Sequence, residues 1–209
     1  MADPVRIFRL PGAPAPGSML PLLETYGYDD SFDRTNTAAG LGTTPDGKPW
    51  VPWRGTWAIN NGSAIVAAAS GTQLQLAVVD TLTPDGDFEL VYANRDGVDT
   101  GGGLLFRGVD ADNHLFVNSS GGGGLIRLWK RVAGVATAIA TAEVGPIPNQ
   151  VPLRVRAVGD SLQVYLGNTR IINAVDATFV DATFAGIMAA AAAAGTRIMD
   201  SRCTYLEAA

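Results

Sequence analysis

The chain has one cysteine, Cys203, and one histidine, His114, among its 209 residues. A lone cysteine cannot form an internal disulfide. His114 lies 89 positions earlier, in a predicted hairpin, so a Cys–His catalytic pair is not expected. Cys203 is predicted to be a small buried residue of the last strand.

The net charge is −5 and no segment concentrates lysine or arginine, which argues against a nucleic-acid partner. No run of about 18 apolar residues is present, so no membrane span is predicted.

Glutamate is also scarce, since only Glu24, Glu89, Glu143 and Glu207 occur. Glycosidases place two carboxylates around the bond that they cleave, and no strand here carries such a pair in a Glu-x-Asp-x-x-Glu context. The segment DGDFELVY offers Asp87 and Glu89 on one strand face, which is a weak signal for hydrolysis. Gly-x-Ser-x-Gly, a phosphate-binding loop and a His/Cys metal set are all missing from the sequence. We therefore expect a protein that is not an enzyme.

Residues 1–25 are predicted to form an extended N-terminal arm. Five prolines interrupt this segment, so it favours polyproline II structure and contains no unbroken apolar core of the kind that an export signal needs. The segment nevertheless carries several apolar side chains, which suits docking on a neighbouring subunit through Arg6, Phe8 and Leu10. The alternative is a mobile terminus, as is common at chain ends.

From residue 26 onward the sequence alternates short β-prone segments with turn residues. The chain has 25 glycines, and at least ten strands of regular spacing can be counted. The triplet Asn60-Asn61-Gly62 predicts a hairpin, because Asn-Gly tolerates the positive φ angles of a type I′ turn. Further turns are predicted at 110–113, at Ala133-Gly134, at Gly159-Asp160 and at Gly167-Asn168. The sequence thus predicts an all-β fold, an antiparallel β-sandwich over residues 26–209.

Three stretches resemble the concanavalin A-like or LamG-like lectin jelly rolls. They are DDSFDRTNTAAGLG with GTWAINNGSA (29–64), GGLLFRGVDADNHLFV (102–117), and LRVRAVGDSLQVYLGNTRI with the closing Asp200 (153–200). The opening stretch is also similar to that of minor tail and other virion proteins of phages that infect actinobacteria. The first resemblance implies a lectin-like jelly roll, and the second implies a virion protein that is assembled in the host cytoplasm. One fold hosts many activities, so the resemblance specifies the fold more closely than the function.

Taken together, these features predict a non-enzymatic virion structural protein, either a minor tail protein or a capsid decoration protein. The arm would dock on other virion proteins, and the jelly roll would face outward and contact host cell-envelope polysaccharide. We expect a homo-oligomer, since virion proteins commonly form symmetric assemblies. The alternatives are a free carbohydrate-binding module or adhesin, and, third, a glycoside hydrolase or lyase of the same fold.

Five residues are candidates for contact with sugar: Trp50, Trp53, Arg107, Asn113 and Trp129. A tryptophan can bury the apolar face of a pyranose while polar neighbours bind its hydroxyls. Each candidate also has a structural alternative. Trp50 and Trp53 can pack beneath their Pro-flanked loop, Trp129 can stack between Arg127 and Arg131, and the other two can stabilise the hairpin.

No cofactor is expected, with calcium as the one alternative. Lectin-like sandwiches often hold Ca²⁺ where the first and last strands meet, so the resemblance implies Asp30 and Asp200, with Asp29 and Asp33 nearby, as ligands. The sequence contains no dense Asp-x-Asp-x-Asp loop to match.

Overall fold

The computed structural model describes residues 26–93, 102–120, 124–148, 150–190 and 197–205. Every regular element in these ranges is a β-strand, and no helix able to cross a membrane occurs among them. The predicted all-β, antiparallel sandwich is confirmed. The arm, with its docking candidates Arg6, Phe8 and Leu10, lies outside the described residues.

Within the described ranges, the strands form two antiparallel sheets. The first has eight strands, whose spatial order is β13 (Thr169–Val175), β12 (Ser161–Leu166), β11 (Leu153–Val158), β6 (Gly86–Ala93), β15 (Arg197–Tyr205), β4 (Ala64–Ala68) and β3 (Thr56–Ile59), with β1 (Tyr28–Asp30) also paired to β15. The first and last described strands are thus hydrogen-bonded neighbours, which closes the domain on itself.

The second sheet has seven strands and carries the candidate site. Their spatial order is β10 (Val135–Glu143), β9 (Leu125–Val132), β8 (Asn113–Ser120), β7 (Gly103–Asp110), β14 (Phe184–Ala189), β5 (Gln75–Asp80) and β2 (Val51–Arg54). Strands β7 to β10 pair with one another in chain order, whereas β14 inserts between β7 and β5 from far along the chain.

The predicted turns are present where the sequence placed them. Asn61 and Gly62 both have positive φ, and the Asn60 amide donates to the Ser63 carbonyl at 2.9 Å, so the β3–β4 hairpin has the predicted geometry. Ala133 and Gly134 also both have positive φ and join β9 to β10.

The segment KPWVPWRG differs from its prediction as a loop. Val51–Arg54 forms β2, the edge strand that pairs with β5 through Val51–Val78 and Pro52–Ala77. Proline has no amide proton to donate and is therefore tolerated mainly at sheet edges, which is where Pro52 lies. As a result Trp53 is held on a strand, at an irregularity where the pairing with β5 shifts between Pro52 and Arg54.

The sandwich core lies between the two sheets. Phe88 of the eight-stranded sheet meets Phe106 of the seven-stranded sheet, with ring centroids 5.7 Å apart. Cys203 is buried as predicted, and burial raises the pKa of its thiol to about 12, so it stays protonated at neutral pH. The core therefore depends on apolar packing rather than on covalent cross-links.

Asp30 is a buried carboxylate that connects the two sheets. Its Oδ1 accepts from the Phe32 amide at 2.8 Å and from Arg34 Nη1 at 2.6 Å, while its Oδ2 accepts from Arg34 Nη2 at 2.9 Å and from Trp50 Nε1 at 2.7 Å. Asp30 ends β1 of the eight-stranded sheet, and Trp50 immediately precedes β2 of the seven-stranded sheet. The cluster thereby fixes the long connection between them.

His114 is fully buried on β8. Its Nδ1 lies 3.1 Å from the Asp110 carbonyl, which can only accept, so Nδ1 carries the proton. Burial lowers the pKa of His114 from 6.5 to about 4, and the nearby charges of Arg131 and Arg54 act in the same direction. The imidazole is therefore neutral in the folded protein at pH 7.

Replacing Asp30 with Asn should destabilise the protein by about 2–4 kcal/mol, because the partly buried Arg34 guanidinium would lose its counter-charge. Urea unfolding gives the free energy directly. Asp33→Asn is the matched control, since Asp33 is exposed and should change stability by no more than about 0.5 kcal/mol. Equal effects of the two substitutions would contradict the assigned role of Asp30.

Lowering the pH should destabilise the protein through His114. The unfolded histidine takes up a proton as the pH falls below about 6.5, whereas the folded one does so only near pH 4, so about 3 kcal/mol of stability is lost across that window. Urea unfolding at pH 7 and at pH 4.5 should show a smaller loss for His114→Gln than for the wild type. Carboxylates titrate in both proteins, so a pH-dependence unchanged by the substitution would refute this account.

Candidate functional site

The outer face of the seven-stranded sheet is apolar. Leu104 and Phe106 of β7 point into the core, whereas Leu105 between them points outward, yet it is also fully buried. It belongs to a second apolar group, here called the outer cluster, whose buried members are Leu76, Val78, Leu105, Phe116 and Met188. The described residues form no further layer over this face. Its cover comes from large side chains of the sheet itself, chiefly Trp53, Trp129 and Phe184.

Trp53 covers one side of the outer cluster. It projects from the edge strand β2, and its ring centroid lies 5.3 Å from that of Phe184 on β14. Gly108 gives the indole room, because a Cβ at that position would lie only 2.6 Å from Cη2 of Trp53. Trp53 is half-buried, so part of its ring is available to a ligand.

Trp129 covers the other side, on β9. Its ring stacks on Phe116 of β8 with centroids 5.9 Å apart and planes 10° apart. Its Nε1 donates to Asn118 Oδ1 at 2.9 Å, and the Arg127 guanidinium lies 5.8 Å from the ring centroid. Trp129 is half-buried, and the predicted stacking of arginine on it is present through Arg127.

Arg54 encloses one end of this face. Its side chain reaches from β2 to the β7–β8 turn, where Nη2 donates to the Ala111 carbonyl at 3.3 Å and to Asp112 Oδ1 at 3.1 Å. Beyond it lie His114 and Arg131, which are paired in register across β8 and β9. The face therefore combines an apolar floor, two tryptophans and several cationic or polar groups.

The sugar candidate Arg107 is an internal residue. Arg107 is fully buried, pairs with Asp85 at 2.8 Å and donates through Nε to the Pro84 carbonyl at 3.1 Å. Its side chain is thus out of reach of a ligand, and its assignment to a sugar site is corrected to an internal ion pair. Burial lowers the pKa of Arg107, with Asp85 acting in the opposite direction.

Asn113 stabilises the hairpin that carries it. Its Nδ2 donates to the Asp110 carboxylate at 3.0 Å, and its Oδ1 accepts from the Ala133 amide at 2.9 Å. These bonds occupy both ends of the amide group. The structure thus places Asn113 in the structural role that the sequence offered as its alternative.

Trp50 is a core residue rather than a platform. Only 6% of it is exposed, its Nε1 is bonded to Asp30, and its ring contacts Tyr28 and Phe32 with centroid distances of 5.4 and 5.5 Å. The placement of Trp50 in a sugar site is therefore corrected, since packing and its hydrogen bond explain the residue.

The calcium hypothesis fails at Asp30. Both carboxylate oxygens are already occupied by donors, and one of these donors is the positively charged Arg34, which would repel a cation. The side chain of Asp200 lies outside the described residues. Across the part of the chain that the structure describes, no cluster of three or more His, Cys, Asp or Glu side chains could hold a metal ion.

The weak hydrolase candidates lie on the opposite sheet. Asp87 pairs with Arg156 at 2.6 Å, and Glu89 pairs with Arg202 at 2.5 Å, all on the eight-stranded sheet. These carboxylates are thus engaged by arginines and are separated from the tryptophan-bearing face by the whole sandwich.

Sequence reasoning found Trp53 and Trp129 but missed the residues that make their environment. Phe116, Asn118 and Phe184 belong to the site, as does Arg54. Alternation along β8 separates Phe116 and Asn118 from Leu115 and Val117. Alternation shows that these two pairs of side chains lie on opposite faces of the sheet. It does not show which pair faces the core, because both pairs contain large apolar residues.

No family model and no curated protein matches the sequence. Solved structures do match in fold. Carbohydrate binding module CBM66 from Bacillus subtilis is 22% identical, with a TM-score of 0.50, covering 75% of this chain and 91% of that one. A β-glucanase from Bacillus licheniformis is 8% identical, with a TM-score of 0.54 and coverages of 87% and 99%. A laminarinase from Rhodothermus marinus is 9% identical, with a TM-score of 0.54 and coverages of 86% and 97%.

At these identities the likeness concerns the fold alone. The neighbours are jelly-roll β-sandwiches of the concanavalin A-like type, as the sequence resemblance implied. The described part of the chain therefore has the concanavalin A-like jelly-roll fold.

Proposed function

We propose that this protein is a non-enzymatic, carbohydrate-binding jelly roll whose ligand lies on the outer face of the seven-stranded sheet. The observation that carries the proposal is the placement of Trp53 and Trp129, 76 residues apart in sequence, over a single apolar cluster. One neighbour in fold is itself described as a carbohydrate-binding module, which makes the proposal compatible with the fold.

The chemistry of this face suits a sugar. Apolar C–H faces of a pyranose pack on indole rings, and hydroxyl groups need donors and acceptors at the rim. Asn118 and Arg127 supply these beside Trp129. Phe116 packs against Trp129 from β8, and the Arg127 guanidinium lies 5.8 Å from the centroid of the same ring, within reach of the oxygens of a sugar bound there.

The arrangement favours binding over catalysis. A glycosidase needs two carboxyl groups about 5–9 Å apart at the scissile bond. Next to the two tryptophans, the polar side chains are arginine, asparagine and histidine. Of the described carboxylates near this face, Asp112 is paired with Arg54, and Glu143 lies opposite Leu125 on the neighbouring strand. Asp87 and Glu89 on the other sheet are ion-paired. A hydrolase or lyase activity has no comparable support.

We further propose that this binding domain acts on a virion, as a tail or decoration protein attached through residues 1–25. This setting rests on the sequence resemblance to phage virion proteins and on the apolar content of the arm. A free carbohydrate-binding module or adhesin is the alternative setting, and the sugar site would be the same in both.

Trp53→Ala and Trp129→Ala should each weaken binding to polysaccharide by about tenfold or more, since a buried aromatic side chain contributes about 2 kcal/mol. Biolayer interferometry against immobilised laminarin, xylan, arabinogalactan and hyaluronan measures the dissociation constants. Tyr165→Ala is the matched control, because Tyr165 is a half-buried aromatic residue on the outer face of the other sheet. If the tyrosine variant lost binding and both tryptophan variants kept it, the site would be misplaced.

The virion setting predicts loss of incorporation when the arm is altered. Arg6→Ala, Phe8→Ala and Leu10→Ala combined should remove the protein from particles, because these side chains would no longer bury apolar surface on neighbouring subunits. Mass spectrometry of purified particles from the phage or prophage-bearing strain that encodes the chain gives the copy number. Val175→Ser, an exposed substitution on β13, is the control. Particles that lack even the wild-type protein would contradict the virion role and favour the free module.

A further inference from the structure

Strand β9 presents an unusual row of charge on the outer face. Arg127, Trp129 and Arg131 alternate along this face of the strand, although the chain as a whole carries a net charge of −5. The two guanidinium groups are four residues apart, which corresponds to about 13 Å along an extended strand. They flank the tryptophan that the proposed sugar site depends on.

Neither guanidinium has a carboxylate partner among the described residues. Arg127 faces Asn118 on β8 and Thr141 on β10, and Arg131 faces His114 and Ala136. Glu143, two residues beyond Thr141, forms no salt bridge with Arg127. By contrast, an acidic partner lies within 4 Å of these arginines: Arg34, Arg54, Arg107, Arg154, Arg156 and Arg202.

Arg131 also has unmet hydrogen-bonding capacity. Its Nη1 donates to the Gly134 carbonyl at 2.6 Å, but its Nε is buried and has no partner in the described part of the chain. Burial is the main cause that lowers the pKa of Arg131, the like charge of Arg54 adds to it, and the Asp112 carboxylate acts in the opposite direction. A guanidinium that is partly desolvated, lies near another one and has no carboxylate in direct contact is unfavourable unless a ligand compensates it.

His114 adds a second unsatisfied group at the same place. Because its Nδ1–H is directed at the Asp110 carbonyl, Nε2 is a bare acceptor, and that atom is buried without a partner in the described residues. Unpartnered buried polar atoms are rare in folded proteins, and two on adjacent, in-register residues call for a common explanation. A ligand that brings both an acceptor and a donor, such as a carboxylate beside a hydroxyl, would satisfy both once it reaches them.

From these observations we infer that the ligand of the outer face is an acidic polysaccharide, with its carboxylate groups bound by Arg127 and Arg131 on either side of Trp129. This inference rests on the proposed carbohydrate-binding function and adds the chemical class of its ligand. The planar guanidinium fork matches a carboxylate in two-pronged geometry, and partial desolvation strengthens that bond. The net negative charge of the chain disfavours a polyanion over the surface as a whole, so its attraction depends on local groups such as this row.

The test uses the full chain and three acidic polysaccharides, each compared with its carboxyl-esterified form: polygalacturonate, alginate and hyaluronan. Esterification removes the charge and keeps the sugar backbone. We expect at least one acid to bind about tenfold or more tightly than its ester, and we expect this affinity to fall with added salt. Dextran sulfate is the control polymer that carries negative charge without carboxylate groups, and it should bind more weakly than the carboxylate polymers.

Arg127→Gln and Arg131→Gln should each remove most of the preference for the acid over the ester. Arg127→Lys should restore the salt dependence but only part of the affinity, since lysine lacks the fork. Arg170→Gln is the matched control, because Arg170 is an exposed arginine on β13 of the other sheet. Urea unfolding of each variant shows whether a loss of binding reflects a loss of folding.

The possible outcomes distinguish a failure of the acidic-ligand inference from a failure of the proposed carbohydrate-binding function. Equal binding of acid and ester, or a preference for acid that survives both glutamine variants, would overturn the acidic-ligand inference and leave the sugar site in place. Dextran sulfate binding as tightly as the best carboxylate polymer would overturn the carboxylate assignment. If none of these polymers and none of the neutral polysaccharides bound, the proposed function itself would be wrong.

Discussion

The seven-stranded sheet is apolar on both of its faces, and this constraint shapes both the core and the candidate site. Its inner face packs on the eight-stranded sheet, as the contact between Phe88 and Phe106 shows. Its outer face has no layer above it in the described residues, so its apolar floor must be covered by side chains of the sheet. Large rings do this best, because a single indole covers several neighbours while keeping one polar edge in water. The residues that solve this packing problem, Trp53 and Trp129, are the same residues that we propose as the sugar-binding ones.

The position of Trp53 depends on a buried ionic cluster about 20 residues before it in sequence. Asp30 bonds Arg34 and Trp50, and the strand that carries Trp53 begins directly after Trp50. The connection from residue 31 to residue 50 contains only the isolated bridge between Thr43 and Pro49 as regular structure. The hydrogen bond between Trp50 and Asp30 joins the two ends of this connection, in addition to backbone bonds that tie Thr37 and Gly40 to β3. In this way the charge at Asp30 contributes to the geometry of a face that it never touches.

Most of the strands could be predicted from the sequence because alternation and turn chemistry are local. Asn61-Gly62 has the positive φ angles that its residue types favour, and the predicted turn at Ala133-Gly134 joins β9 to β10. The edge strand β2 escaped prediction, since its short length and its proline, with a second proline at position 49, are typical of a loop and only pairing with β5 makes it a strand. The strand conformation of β2 therefore depends on a tertiary contact, its pairing with β5, that the local sequence does not reveal.

The site was harder to predict than the fold because burial depends on what lies above a face. Trp50 and Trp53 are three residues apart in similar surroundings, yet one is bonded to a buried carboxylate and the other lies over Gly108 on the surface. Asp30 resembled a calcium ligand by its residue type, but the guanidinium of Arg34 neutralises it. Arg107 is charged and lies in a motif that resembles those of lectins, yet it is fully buried against Asp85. None of these distinctions is encoded in local spacing.

The four tryptophans offer the most direct test of where the ligand binds. Their indole N–H groups give four separate signals in a ¹⁵N-resolved NMR spectrum, and the structure assigns two to the outer face and two to the interior. Trp50 donates to Asp30 and Trp57 to the Arg54 carbonyl, and both rings are buried. Titration with an oligosaccharide of the bound polymer should shift the signals of Trp53 and Trp129 and leave those of Trp50 and Trp57 unchanged. Shifts confined to Trp50 and Trp57, or none at all under saturating binding, would contradict the assignment of the outer face as the binding surface.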